Sequence, residues 1–130
     1  MQTVRLDTKY KTQMIDITEN VKDEVVKLGV TNGFFTIFCS HTTASILFFE
    51  NQDRKLRRDF LSSLSRIAPA DSVYASGDDN APAHIKAALC GQRVVLPVEN
   101  GQLFLGKWQG IFFCEFDGAR EGREYHIQVI

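Results

Sequence analysis

The chain has 130 residues, a hydrophobic fraction of 44% and a net charge of −1 at neutral pH. Its length and apolar content predict one folded domain over residues 1–130 and exclude the disordered class. The balanced charge gives no electrostatic reason to expect a nucleic-acid or membrane partner. The three cysteines form no Cys-x-x-Cys pair, and no apolar run has the length of a membrane span. We therefore expect a cytoplasmic protein with reduced thiols.

The first part of the chain predicts two strands and a helix. Loose alternation of apolar residues predicts strands over residues 3–10 and 12–17. Apolar residues at helical spacing between Val21 and Leu28 then predict a helix. Thr18 is its expected cap and Gly29 its expected end, and the acidic residues of its first turn suit the positive end of the helix dipole.

The next part predicts two apolar strands and a second helix. The runs at 34–40 and 44–49 have the length of buried strands and are separated by polar residues. Apolar residues then recur at helical spacing over Arg54–Ile67, which predicts a helix with Asp53 near its N-terminus.

The last third predicts one short helix and three strands. Pro82 suits a first helical turn, so we expect a helix that continues to Cys90 and is closed by Gly91. Strands are predicted over 93–98, over 103–116 with a break near its glycines, and over 124–130. Asn100–Gly101 is the expected hairpin turn between the first two. This order of elements predicts an α+β domain with mostly antiparallel strands and few helices.

Polar side chains at both ends of the second apolar strand form a first candidate site. His41, Thr42 and Thr43 precede that strand, and Glu50 and Asn51 end it. Burying such groups without partners costs about 1–3 kcal/mol each, so they are expected to pair with each other or to line a site. The structural alternative is a hydrogen-bonded core layer followed by the start of a helix.

Two further stretches offer candidate sites. Asp79, Asn80 and His84 bracket the N-terminus of the predicted third helix, where free N–H groups favour a phosphate or carboxylate. Trp108 and Gln109 lie between two glycines, which would allow a close approach of the backbone to a ligand. The structural alternatives are a turn, a helix cap and a β-bulge.

His41 and His84 are the candidate metal ligands, because both lie near carboxylates. Imidazole and carboxylate together suit a divalent cation such as zinc or magnesium, although the spacing matches no zinc motif. The same imidazoles are alternatively proton-transfer groups. Cys39 leaves a thiol nucleophile open as another interpretation, although a cysteine on an apolar strand usually serves packing.

Three ordered blocks of sequence carry more specific motifs. The first is CSHTTAS at 39–45 followed by ENQD at 50–53, and the second is DNAPAHIKAALCG at 79–91. The third joins PVENGQL at 97–103, LGKWQGI at 105–111 and CEF at 114–116. Together these blocks resemble the YjbQ-like family, whose members are also named secondary thiamine-phosphate synthases.

The resemblance implies a β-sandwich-like core, a homotrimer and a pocket around the two histidine blocks near a subunit interface. It also implies a secondary ability to make thiamine phosphate by joining a pyrimidine pyrophosphate to a thiazole phosphate. Under this hypothesis a small phosphorylated molecule is the substrate, and a divalent metal assists. The alternative hypothesis is a non-catalytic trimeric module that binds a small anionic metabolite or a metal.

The resemblance also suggests roles for the candidate residues. The expected catalytic residues are His41, His84 at the phosphate end, and Glu50, which with Asn51 would orient His41. Trp108 is expected to offer a face for a ring. The expected substrate-binding residues, which share polar or aromatic side chains in the three blocks, are Thr42, Thr43, Asn51, Asp79, Asn80, Trp108 and Gln109.

The chain departs from the family pattern in one loop. Relatives carry a further histidine after a Tyr or Trp ahead of the second block, and none follows Tyr74 here before Asp78. A three-histidine metal site is therefore not expected. His41 and His84 would need Asp78, Asp79 or Glu50 to complete the ligand set.

Overall fold

The structure is a computed structural model that describes all 130 residues and contains three helices and eight strands. The helices are α1 (Thr18–Leu28), α2 (Arg54–Ile67) and α3 (Ala81–Cys90). The strands are β1 (Gln2–Leu6), β2 (Gln13–Asp16), β3 (Gly33–Cys39), β4 (Ala44–Glu50), β5 (Arg93–Glu99), β6 (Gln102–Leu103), β7 (Gln109–Glu115) and β8 (Arg123–Val129).

The strands form two antiparallel sheets. The larger sheet has the order β1-β8-β3-β5-β6, and the smaller sheet has the order β2-β7-β4. All six strand pairings are antiparallel. The prediction of a single α+β domain with mostly antiparallel strands and a sandwich-like core is confirmed.

The main core lies between the two sheets and is closed by the buried face of α1. Its members include Val21 and Val25 of α1, Ile37 of β3, Ile111 of β7 and Ile127 of β8, all at most 2% exposed. A second apolar cluster covers the other face of the smaller sheet, where β7 packs against α2 and α3. The molecule therefore has three layers: the large sheet, the small sheet and the helix pair α2–α3.

The predicted end of α1 is confirmed, but its predicted cap is wrong. Gly29 has a positive φ of 68° and its N–H donates to the Val26 carbonyl, as expected of a helix-ending glycine. Thr18 already lies inside the helix. Its hydroxyl donates to Asp16 Oδ1 at 2.5 Å and accepts the Ile111 N–H at 2.9 Å, so the side chain ties α1 to β7.

The helix α2 has the predicted bounds. Asp53 is its N-cap, and Oδ1 accepts the N–H groups of Lys55 and Leu56 at 2.9 and 3.3 Å. These bonds satisfy two of the backbone donors that a helix leaves free at its start. No helix in the chain has the length and apolar character needed to cross a membrane.

Two predicted strands differ from the structure. The strand expected over 103–116 is two strands, because the chain leaves the large sheet after Leu103 and enters the small sheet at Gln109. The first strand ends at Leu6 and not at residue 10, since Thr8 turns its hydroxyl inward to a buried carboxylate. The Asn100–Gly101 turn is confirmed: both residues have positive φ, and β5 pairs with β6 across them.

Candidate functional site

A buried ion pair lies where β7 ends and β8 begins. Arg123 donates from Nε and Nη2 to the two carboxylate oxygens of Glu115, at 2.8 and 2.5 Å. The two side chains are 5% and 0% exposed. Thr8 donates its hydroxyl to Glu115 Oε2 at 2.9 Å, and the Asp117 N–H donates to Oε1 at 2.9 Å. These hydrogen bonds, together with the attraction between the two charges, can offset the desolvation penalty of burying the pair.

The hydrogen bonds keep Glu115 ionised. Burial by itself would raise the pKa of Glu115, but the bonds from Arg123, the Asp117 N–H and Thr8 outweigh burial and hold the pKa below its usual value. The site therefore contains a fixed negative charge and a fixed positive charge inside the protein.

A second charged group continues this network toward α3. Asp117 Oδ1 accepts from Lys11 Nζ at 2.5 Å, and Oδ2 accepts from Arg120 Nη2 at 2.8 Å and from Asn80 Nδ2 at 3.2 Å. Burial opposes ionisation of Asp117, but these donors lower its pKa. We call Glu115, Arg123, Asp117, Lys11 and Asn80 the charged network.

His41 lies beside the charged network. Its Nε2 accepts the backbone N–H of Glu124 at 2.9 Å, so the neutral ring carries its proton on Nδ1. Burial, and then the positive charge of Arg123, lowers the pKa of His41. The half-buried ring is therefore neutral near pH 7 and offers one free polar atom, the Nδ1–H, as a hydrogen-bond donor.

The two threonines after His41 have different environments. Thr43 is buried, and its Oγ1 accepts from Arg123 Nη2 at 2.8 Å. This bond links the His41 segment to the charged network. Thr42 is exposed and makes no side-chain hydrogen bond.

Glu50, Asn51, Trp108 and Gln109 lie at the opposite end of the small sheet. In the pairing of β4 with β7, Ala44 faces Glu115 and Glu50 faces Gln109. Six residues of extended chain separate these two pairs, which corresponds to about 20 Å. Glu50 and Asn51 therefore cannot orient His41 of the same chain, as the sequence suggested.

The residues at this far end mainly hold the local turn together. Glu50 accepts the N–H groups of Gln52 and Asp53 at 2.6 and 2.9 Å, and Gln109 Oε1 accepts the Gly106 N–H at 2.8 Å. Trp108 is 54% exposed and is free to contact another molecule.

The second predicted site splits into an inner and an outer part. Asn80 is at the N-cap position of α3 but makes no cap bond, because its amide donates to Asp117. Asp79 and His84 are exposed, and neither side chain forms a hydrogen bond. Asn80 thus joins the His41 region through the charged network, while His84 faces solvent.

Lys86 is a residue that the sequence arguments missed. It is 6% exposed, shares the buried face of α3 with Ala83 and Ala87, and forms no ion pair. Its only hydrogen bond is a long one of 3.5 Å to Ser65 Oγ. Burial, and then the nearby Lys11, lowers the pKa of Lys86. The i, i+3, i+4 spacing from Ala83 was the signal that placed this lysine on an apolar face.

The other missed members of the network are Lys11, Asp117 and Arg123. Nothing in the sequence near Arg123 or Asp117 marked them as buried, because Arg123 stands in a charged stretch and Asp117 lies in the connection between β7 and β8. Only the tertiary fold brings together the end of β7, the start of β8 and the segment between β1 and β2 that carries Lys11.

The donor atoms of one chain do not fit a metal site. No group of three or more His, Cys, Asp or Glu side chains could hold a metal ion. His41 Nε2 already accepts a hydrogen bond, and the neutral ring has no second lone pair to offer. We assign no step to a metal, and the divalent cation expected at His41 and His84 stays a prediction.

Cys39 is not placed to act as a nucleophile. The thiol is 1% exposed, and burial raises its pKa above the usual value. The reactive form of a cysteine is the thiolate, which this environment disfavours.

Comparison with known proteins identifies the family. The model of the UPF0047 protein YjbQ-like family matches residues 2–130. The chain is 39% identical to the UPF0047 protein YugU of Bacillus subtilis over 121 residues, covering 92% of both chains. It is 34% identical to a UPF0047 protein of Methanocaldococcus jannaschii, covering 97% of this chain and 91% of that one.

Solved structures agree with this assignment. An uncharacterised member of the family from Clostridium acetobutylicum superposes with a TM-score of 0.95 at 42% identity and full coverage of both chains. A YbjQ-like protein of unknown function from Sulfolobus solfataricus superposes with a TM-score of 0.93 at 33% identity, covering 98% and 94% of the two chains. The chain belongs to the YjbQ-like UPF0047 family.

Proposed function

We propose that this protein is a small-molecule transferase of the thiamine-phosphate-synthase type and that its reaction takes place beside His41. One observation carries the proposal: a half-buried, neutral imidazole presents a single free N–H next to a buried Glu115–Arg123 pair. A donor fixed in a partly dry site stabilises developing negative charge without having to reorganise. A departing pyrophosphate develops such charge.

The reaction requires one bond to form and one to break. The lone pair of the thiazole nitrogen forms a C–N bond to the methylene carbon of the pyrimidine. The C–O bond to pyrophosphate breaks, and pyrophosphate leaves with the electron pair. The thiazolium product carries the positive charge, so no oxidant or reductant is needed.

The protein's contribution would be orientation and charge stabilisation. The His41 Nδ1–H would donate to an oxygen of the leaving pyrophosphate. Asn80 would orient the phosphate end from the charged network, and the exposed His84 would contact the outer part of the substrate. Trp108 of the same chain lies too far away to stack on a ring at this site, so that role would need a neighbouring subunit.

The test is thiamine phosphate formation by purified protein, with added Mg²⁺ or Zn²⁺ and with a chelator. We expect His41→Ala to lower kcat about 100-fold, within the range for a lost charge-stabilising donor. Lys27→Met, on the exposed surface of α1, should leave the rate unchanged. No product from the wild type, or equal product from His41→Ala, would refute the proposal.

The second candidate function is a non-catalytic module that binds a small anionic metabolite. The buried Lys86, which has no ion-pair partner, favours this candidate, because its ammonium could bind an anion even if no residue catalysed a reaction. Binding of a phosphorylated ligand by a wild type that forms no product would support the module over the enzyme.

We also propose that the protein assembles as a homotrimer, as the family resemblance implies. Four large apolar side chains stand exposed on the outer face of the large sheet and its edge: Phe34 at 54%, Phe38 at 43%, Val95 at 44% and Phe104 at 62%. We call these four residues the outer apolar patch. Exposed apolar surface of this kind is typical of subunit interfaces, and copies of this chain are the occupants that we propose for it.

A further inference from the structure

Lys86 is buried in a way that needs an explanation. A lysine residue that is only 6% exposed is expected to pair its ammonium group with a carboxylate or to make several hydrogen bonds. Lys86 has one long contact to Ser65 and no ion pair. In the free protein its charge is therefore poorly compensated.

Lys86 lines a cavity of about 190 Å³. Lys11, Asn80, Ser65 and the first turn of α3 also line it. The start of a helix adds a positive potential from its backbone N–H groups. The volume is sufficient for a phosphate group.

The charges around the cavity leave Lys86 as the uncompensated one. Lys11 is paired with Asp117, as is Arg120. Asp79 is the acidic residue that lines the cavity; it is exposed to solvent and forms no ion pair. A bound oxyanion would pair with the Lys86 ammonium and accept further hydrogen bonds from Ser65 and Asn80.

We propose that this cavity is an oxyanion subsite in which Lys86 binds a phosphate group of the substrate. The inference rests on the proposed function for the phosphorylated nature of the substrate, but the binding itself requires no turnover. Under this proposal the phosphate group binds Lys86 on the buried face of α3, and not the exposed His84 of the same helix.

An alternative use of a buried lysine is as a neutral amine nucleophile, which attacks a carbonyl. The contacts favour the anion subsite, because a second lysine, an amide and a hydroxyl converge on the same space. A lysine that attacks a carbonyl to form a Schiff base would need none of these three groups. Borohydride trapping with an aldehyde and no binding of phosphate would favour the nucleophile.

The experiment is calorimetric titration of the wild-type protein with inorganic pyrophosphate, and separately with inorganic phosphate. Lys86→Met keeps the length and apolar volume of the side chain and removes the charge. We expect it to weaken pyrophosphate binding about tenfold or more, since a hydrogen bond to a charged group contributes that much. Lys22→Met, which removes an exposed lysine of α1, should stay within twofold of the wild type.

Folding of the variant is checked by thermal unfolding. Lys86→Met should be at least as stable as the wild type, because it removes a buried charge that has no partner. Equal binding by a folded Lys86→Met variant, or no binding by the wild type at millimolar pyrophosphate, would overturn the inference.

The failure of the subsite and the failure of the proposed function give different results. Pyrophosphate binding that depends on Lys86, without thiamine phosphate formation, leaves the subsite standing and refutes the enzyme. Thiamine phosphate formation that is unaffected by Lys86→Met refutes the subsite and leaves the enzyme standing.

Discussion

Arg123 illustrates how much a single residue can contribute to this fold. Its guanidinium compensates the fully buried Glu115 carboxylate and also donates to Thr43, so it connects the segment before β4 with β7 and β8. Removing one member of a buried ion pair leaves the other charge without compensation, which typically destabilises a protein by 3–5 kcal/mol.

We therefore predict that Arg123→Met lowers the free energy of unfolding by about 3–5 kcal/mol, measured by urea denaturation at pH 7. The matched control is Lys22→Met, which removes an exposed pair with Glu19 and should change stability by less than about 1 kcal/mol. Similar losses for the two variants would show that the buried pair contributes no more to the free energy of unfolding than the exposed pair.

The same pair predicts a pH dependence. The folded-state pKa of Glu115 is lowered, so its contribution is fully present above the unfolded pKa of about 4.3. It is lost as the pH falls through the folded-state pKa. The difference in unfolding free energy between wild type and Glu115→Gln should shrink as the pH is lowered from 7 to 3, and a constant difference would contradict the prediction.

Lys86 predicts a pH dependence of the same sign as that of Glu115, but in the alkaline range. Its folded-state pKa is lowered, so between that pKa and the unfolded value of about 10.4 the unfolded chain binds more protons. Stability contributed by this site therefore rises with pH in that window. Lys86→Met should remove this rise, as measured by urea denaturation between pH 7 and 10, and identical pH profiles for the variant and the wild type would contradict the argument.

At the scale of the elements, a glycine determines how closely β4 and β7 approach at the far end of the small sheet. A Cβ on Gly110 would lie 2.8 Å from the Cβ of Asn51 and 3.0 Å from the Phe112 ring. Neither neighbour can move freely, since the Asn51 N–H is bonded to the Trp108 carbonyl and Phe112 is fully buried. The sequence had suggested that this glycine serves a ligand or a bulge, and it serves the packing of the sheet.

We predict that Gly110→Ala lowers the free energy of unfolding by about 1–3 kcal/mol, the usual range for overpacking. The control is Gly106→Ala. Its Cβ would meet only the flexible Gln109 side chain, at 3.2 Å from Oε1, which needs to shift by only a few tenths of an ångström, so the loss should be smaller. Thermal unfolding of both variants gives the comparison, and an equal or larger loss for Gly106→Ala would contradict it.

The elements that were predicted best are those with strong local signals. The bounds of α2 follow from its apolar spacing and its Asp53 cap, and the Asn100–Gly101 turn follows from residues that tolerate positive φ. The strand expected over 103–116 does break near its glycines, as predicted, but its two apolar parts belong to different sheets. Local sequence does not show that the chain changes from one sheet to the other between them.

At the scale of the whole molecule, the outer apolar patch predicts how copies of the chain associate. Phe38→Glu places a charge within the patch, in place of a ring that lies 5.9 Å from the His126 ring. Burial of an unpaired charge in an interface is unfavourable. We therefore predict that light scattering after size exclusion gives three times the 14.7 kDa chain mass for the wild type, and the monomer mass for Phe38→Glu.

Val73→Glu is the control, because Val73 is 99% exposed outside the helices and strands and should leave the mass unchanged. A wild type that elutes as a monomer at every concentration would refute the trimer. A wild-type trimer that survives Phe38→Glu would place the interface on a different face.

The sequence by itself determined the periodicity of the elements, the α+β class, the family and the polar stretches of interest. It did so because helices and strands repeat over a few residues, and because caps and turns depend on residues next to one another. Tertiary structure decided which polar groups meet. Thr8 and Glu115 are 107 positions apart and hydrogen-bonded, whereas His41 and Glu50 are close in sequence and lie at opposite ends of a strand. The register between strands fixes those encounters, and it depends on how the whole core packs.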